Sequence, residues 1–153
     1  SSTCELNGTH GEMVEKFGSD SRTGFKGILI QEMATADPGA IELIVGAKRD
    51  PQFGAVIMLG HGGIFAEIFG KTSVRVAPLS TMEIEEMIES LPGSEILSGA
   101  RNRPAVDKKS LGEIIGRVVW LMQTFDKIDQ IDLNPVLVSA SGALALDARI
   151  YLK

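Results

Sequence analysis

The chain has 153 residues, with 15 Lys and Arg against 20 Asp and Glu and a formal charge of −5. That length, with 44% hydrophobic residues, describes one ordinary globular domain and excludes the profile of a disordered segment. The acidic balance excludes a nucleic-acid scaffold, which needs a concentrated basic surface, so any bound anion must be held locally.

In chain order, residues 1–23 read as a polar lead-in, with Gly8, Gly11 and Gly18 interrupting any long pattern and one short helix expected over Glu12 to Phe17. The chain starts without Met, which fits a piece of a longer protein. Residues 24–153 read as the folded domain. Short apolar runs follow at Ile28 to Ile30, Ile41 to Ala47 and Val56 to Leu59, each bounded by turn formers such as Asp37-Pro38-Gly39 and Asp50-Pro51. Their length and punctuation predict three neighbouring strands in an antiparallel meander. Ser80-Thr81-Met82-Glu83 is a capping box, and Ile84, Met87, Ile88 and Leu91 follow at helical spacing until Pro92-Gly93. A second helix is predicted from Ser110, with Glu113 three residues on and a stripe of Leu111, Ile114, Ile115, Val118, Met122 and Phe125. The end of the chain predicts a hairpin, Ile131 to Val138 and Ala143 to Ile150, turning at Ser139 to Gly142. Strands, then helices, then strands make an α+β order, with a mainly antiparallel sheet packed by two helices.

The single Cys4 has no partner for a disulfide or a thiolate cage. No apolar run approaches the ~20 residues of a membrane helix, and no signal-peptide layout opens the chain. These features lead to the expectation of a cytoplasmic protein.

Chemistry concentrates in two places. Asp132 and Asn134, two apart on a strand, share a face, while Ile131, Leu133 and Leu137 take the other. A two-residue turn brings Asp147 to the same face, opposite Asn134 or one pair away; a three-residue turn sends it to the wrong one. Two carboxylates and an amide oxygen suit Mg²⁺, whose remaining positions are filled by water and phosphates. The same spacing also fits the solvated side of an amphipathic edge hairpin. The second place is Gly60-His61-Gly62-Gly63-Ile64-Phe65-Ala66-Glu67 after an apolar strand, either a backbone anion cradle or a tight connection. It matches neither the dinucleotide fingerprint nor a Walker loop. His61 has no neighbouring base and reads as a polar loop residue, and His10 has less support still. Gln31-Glu32-Met33 ends an apolar run, where polar groups can meet a flat ligand. Arg75 alternates with Val74 and Val76 and points away from them, to meet phosphate or an acid. The Arg101-Asn102-Arg103-Pro104 loop carries the same two readings.

Together these segments resemble one family. Gly27 to Met33, Glu42-Leu43-Ile44-Val45-Gly46-Ala47-Lys48-Arg49-Asp50-Pro51-Gln52-Phe53-Gly54, Gly60 to Glu67, Arg75-Val76-Ala77-Pro78-Leu79, Gly99 to Asp107, Asp132-Leu133-Asn134-Pro135 and Asp147-Ala148-Arg149 are similar to the ATP-grasp part of NDP-forming acyl-CoA synthetases. The nearest likeness is to the ADP-forming acetate–CoA ligase beta subunit, a relative of the succinyl-CoA synthetase beta chain. The resemblance covers about Gly24 to Leu152 and concerns the second, C-terminal lobe of the grasp. It implies a reaction of acyl-CoA, ADP and phosphate to acid, CoA and ATP through an acyl phosphate and a phosphohistidine. It implies ATP or ADP and Mg²⁺ as ligands, and two partners: a first ATP-grasp lobe and a CoA-binding alpha subunit or domain. By residue, Gln31, Glu32 and Met33 correspond to the adenine hinge, and Glu42, Gly62, Gly63, Glu67 and Arg75 to the nucleotide surroundings. Asp132, Asn134 and Asp147 correspond to the Mg²⁺ ligands, and no residue of this chain is implied as covalent catalyst. Succinyl-CoA synthetase chains tend to have Glu at the place of Asp132, and His61 departs from the apolar or small residue expected there. The isolated lobe is expected to be inactive. The alternative is a non-catalytic nucleotide-sensing or interaction module of a larger synthetase-like or acyltransferase protein.

Overall fold

The computed structural model describes residues 3–18, 27–34, 37, 39–99 and 103–153. Arg101 and Asn102 and the boundary between residues 23 and 24 lie outside the described residues. The chain divides into two compact units, Ser1–Met33 and Ala34–Lys153.

In the first unit, helix α1 runs Thr3–Phe17, longer than the expected Glu12 to Phe17, and Lys16 sits in its last turn where a cation opposes the helix dipole. Ile28 to Ile30 do not form a strand, which corrects the expectation. Leu29 is 84% and Ile30 64% exposed. An apolar triplet supplies side chains for a strand but not the neighbouring backbone that makes it one.

The second unit is built on a six-stranded antiparallel sheet, β1 (Ile41–Asp50), β2 (Gly54–His61), β3 (Thr72–Val76), β4 (Ile128–Ser139), β5 (Gly142–Ala145) and β6 (Ala148–Leu152). The order is β3-β2-β1-β4-β5, with β6 pairing β4 farther along the same edge. A meander does exist, but its members are β1, β2 and β3, and its free side is taken by β4. On one face, Ile41, Leu43 and Val45 of β1 and Ile57 and Leu59 of β2 meet Ile84, Met87 and Ile88 of α3 (Thr81–Glu89) and Leu111, Ile115 and Met122 of α4 (Lys108–Thr124). Each such aliphatic side chain removed from water contributes about 1.5–3 kcal/mol, which fixes this face as the core. The short helix α2 (Gly63–Phe69) links β2 to β3. The opposite face carries Glu42, Gly46, Lys48, Met58, Val74 and Asp132, and among the described residues of this unit α3 and α4 pack on the other side.

The capping box is present in full: Ser80 Oγ accepts from Glu83 N–H, and the Glu83 carboxylate accepts from Ser80 N–H at 2.7 Å. The second cap differs from expectation. Asp107 caps α4, accepting from Ser110 N–H at 3.1 Å and from Ser110 Oγ at 2.6 Å, so the helix starts before Ser110. The aspartate is the stronger acceptor and claims the serine as a donor. At the far end Arg49 of β1 donates to the carbonyls of Met122, Phe125 and Ile128, closing the helix C-terminus with a cation.

The terminal hairpin turns at Ala140-Ser141, with Ser139 paired to Gly142. One correction follows from its register with β1. Between Leu133 and Val136, β4 places Asn134 and Pro135 against the single residue Ile44 of β1, and the pairing shifts by one. This bulge inverts the alternation, so Leu137 lies opposite Glu42 on the open face rather than with Ile131 in the core.

Candidate functional site

Two groups of the expected residues come together, both on the open face. The first lies where β1 begins and β2 ends. Gly62 N–H donates to the Glu42 carbonyl at 2.8 Å. A Cβ on Gly63, whose φ is +51, would stand 2.7 Å from Glu42 Oε2, and one on Gly62 would press on the Glu42 Cβ at 3.2 Å. Glycine is required here for close approach, so the glycine turn and the Glu42 carboxylate are one construction. Glu67 is exposed on α2, one turn further on.

The second group lies on β4 and its partners. Asn134 stands opposite Asp147, with Asn134 N–H donating to the Asp147 carbonyl at 3.2 Å, and Asp132 pairs with Arg149 in the next register position on that face. Asp147 occupies the gap between β5 and β6, where the edge strand breaks. Arg149 Nε lies 3.4 Å from Asp147 Oδ2. The Tyr151 hydroxyl, then the Asp147 carboxylate and more weakly that of Asp132, hold the Arg149 guanidinium above its ordinary pKa. Asp132 also pairs with Gly46 of β1, four residues from Glu42, about 13 Å along the strand at ~3.3 Å per residue. Beside it is a hollow of about 500 Å³ lined by Gly46, Lys48, Met58, Val74, Gln130 and Asp132.

Five of the residues singled out in the sequence do not join these groups. Arg75 is the register partner of Ile57, so it faces the helices, where it donates to Ser90 Oγ at 3.0 Å and to the Val74 carbonyl at 2.9 Å. His61 is a correction of another kind: it is the last residue of β2, only 4% exposed, and its Nε2 donates to the Pro92 carbonyl at 2.8 Å. It is a packed strand end rather than a polar loop. Gln31, Glu32 and Met33 are exposed and belong to the first unit.

Sequence reasoning missed Arg149 as a member of the acidic group, although its position opposite Asp132 follows from the same two-residue turn that places Asp147. It also missed Asp37, whose carboxylate accepts from Ser139 Oγ at 3.0 Å and from Ser141 Oγ and is thereby held below its ordinary pKa. No local pattern signals a bond that spans a hundred residues.

As to a cation, among the described residues no three His, Cys, Asp or Glu side chains form a cage. The set available is two carboxylates and an amide on an accessible surface, which fits a hard divalent ion completed by water and phosphate oxygens. Among the described residues no helix is long and apolar enough to cross a membrane.

The sheet thus leaves one face bare among the described residues of this unit, and the side chains of Asp132, Asn134, Asp147 and Glu42 stand on it with the Gly62-Gly63 turn at its end. The ATP-grasp domain family model matches residues 2–152, and the chain belongs to that family. It is 41% identical over 126 residues to the beta subunit of ADP-forming acetate–CoA ligase I of Pyrococcus furiosus, matching 82% of this chain and 53% of that protein. It is 39% identical over 135 residues to the ADP-forming 4-hydroxybutyrate–CoA ligase of Nitrosopumilus maritimus, matching 87% of this chain and 19% of the ligase. Among solved structures, the dinucleotide forming acetyl-coenzyme A synthetase 1 of Ca. Korarchaeum cryptofilum, in complex with coenzyme A, acetyl-coenzyme A and a phosphorylated phosphohistidine segment, superposes with TM-score 0.89 at 36% identity. That match covers 99% of this chain and 67% of the other. Another structure of the same enzyme, with coenzyme A and Mg-AMPPCP, matches with TM-score 0.70 at 40% identity over 74% of this chain and 53% of that one. The chain thus spans about half of the beta subunits and about a fifth of the longer ligases.

Proposed function

We propose that this chain is the nucleotide- and Mg²⁺-binding lobe of an ADP-forming acyl-CoA synthetase of the acetate–CoA ligase kind. The observation that carries the reading is the register of the terminal hairpin, which sets Asn134 opposite Asp147 and brings Asp132 onto the same surface. Asp132, Asn134 and Asp147 would hold the Mg²⁺, which when bound neutralises and orients the nucleotide phosphates for in-line transfer. Glu42 and the Gly62-Gly63 turn line the open face beside them and fix the approach of the ligand to the backbone. Gln31, Glu32 and Met33 are assigned to the base. The complete conversion of acyl-CoA, ADP and phosphate to acid, CoA and ATP needs a first lobe and a CoA-binding subunit or domain. Both are assigned as partners from the relatives' greater length.

Calorimetric titration of the intact protein with ADP, with and without Mg²⁺, tests this. The expected result is Mg²⁺-dependent binding that Asp147→Ala and Asn134→Ala each weaken by about tenfold or more, the scale for losing an orienting ligand of a metal site. Unchanged affinity in both variants would overturn the metal assignment.

A further inference from the structure

The loop that leads into α4 holds an arginine that the reading above leaves without a task. The guanidinium carbon of Arg103 lies 5.9 Å from the centroid of the Phe65 ring on α2. Among the described residues no carboxylate forms an ion pair with Arg103.

Its backbone is gripped from two sides. Gly99, with φ +88, approaches so closely that a Cβ would stand 3.0 Å from the Arg103 carbonyl oxygen and from Ala105 N. Gly39, also with φ +88, leaves only 3.1 Å between its Cβ position and Pro104 Cδ. Beyond the grip, Val106 N–H donates to the Leu97 carbonyl at 3.0 Å and Asp107 N–H to the Ser139 carbonyl at 2.8 Å. Two glycines and two backbone bonds therefore hold the main chain around Arg103, from which the side chain reaches over Phe65. A guanidinium held over an aromatic ring is attracted to the ring and keeps N–H donors for an oxyanion. Phe65 is two residues past Gly63, the residue that abuts the Glu42 carboxylate. An acidic chain must supply any phosphate contact locally, and here a cation lies over a ring of the helix that follows the glycine turn, a ring whose other side packs against the core.

We propose that Arg103 binds a phosphate oxyanion of the nucleotide, with Phe65 as its platform; this rests on the reading of the chain as a nucleotide lobe. The test is ADP affinity of the intact protein for wild type, Arg103→Met and Arg103→Lys, with the melting temperature measured on each. Arg103→Met is expected to weaken ADP binding about tenfold at unchanged melting temperature, the scale of a charge-assisted contact. Arg103→Lys is expected to recover part of that loss. Affinity within about twofold of wild type in Arg103→Met, or a loss matched by a fall in melting temperature, overturns the proposal. Should Asp147→Ala lose ADP while Arg103→Met keeps it, only Arg103 is misassigned. Absence of ADP binding in the wild type overturns the nucleotide reading and this inference with it.

Discussion

On the covered face of the sheet, alternate residues of β1 and β2 are aliphatic and fully buried beneath α3 and α4, whereas the open face mixes Glu42, Lys48 and Asp132 with Met58, Val74 and Val76. Val74 and Val76 are 48% and 47% exposed, while their neighbours Ser73 and Arg75 turn inward to bond Ser90. The difference teaches that apolarity alone does not say which side of a strand is the core. The covered face is selected for packing, and the open face, freed from that demand, keeps apolar and charged groups side by side. On the proposed reading, such a face would suit a ligand that is part flat ring and part polyanion.

The comparison breaks most visibly under substitutions of the covered face. Leu59→Ala, at a site with no exposure, is expected to cost about 2–5 kcal/mol in urea unfolding; a cost below that range would mean that the core can collapse around the gap. Next in size, Ser80→Ala removes the acceptor for Glu83 N–H at the start of α3 and is expected to cost about 1 kcal/mol in the same assay. Smallest is Val74→Thr on the open face, expected to shift stability by less than about 0.5 kcal/mol. A cost like that of Leu59→Ala would show that this face is already packed and erase the contrast.

Much of the fold was legible in the sequence where the signal is local. The capping box at Ser80 and Glu83 formed as spelled, because both partners lie within one turn. The hairpin at Ala140-Ser141 settled into one of the two registers that the turn residues allowed, which in turn set Asn134 opposite Asp147. What was not legible depends on distant partners. Ile28 to Ile30 look like a strand but, among the described residues, pair with no other strand. Leu137 changed faces because an extra residue in β4 is defined only against β1. The start of α4 moved because Asp107 outcompetes Ser110 for the cap. Arg75 was read correctly as pointing away from Val74 and Val76, but that alternation cannot say which of the two sides the helices cover.

The ladder between β1 and β4 carries a further consequence, in the order of events rather than in the finished shape. It joins segments separated by most of the chain, Ile41 with Val138 and Gly46 with Asp132. Such non-local pairing raises contact order and slows folding, since a long loop must close before its contacts form. The hairpins β1–β2 and β4–β5 close short loops on their own, but Glu42 and Asp132 share a surface only once the two hairpins zip together. During synthesis the ribosome must therefore release nearly all of this sequence before the surface exists.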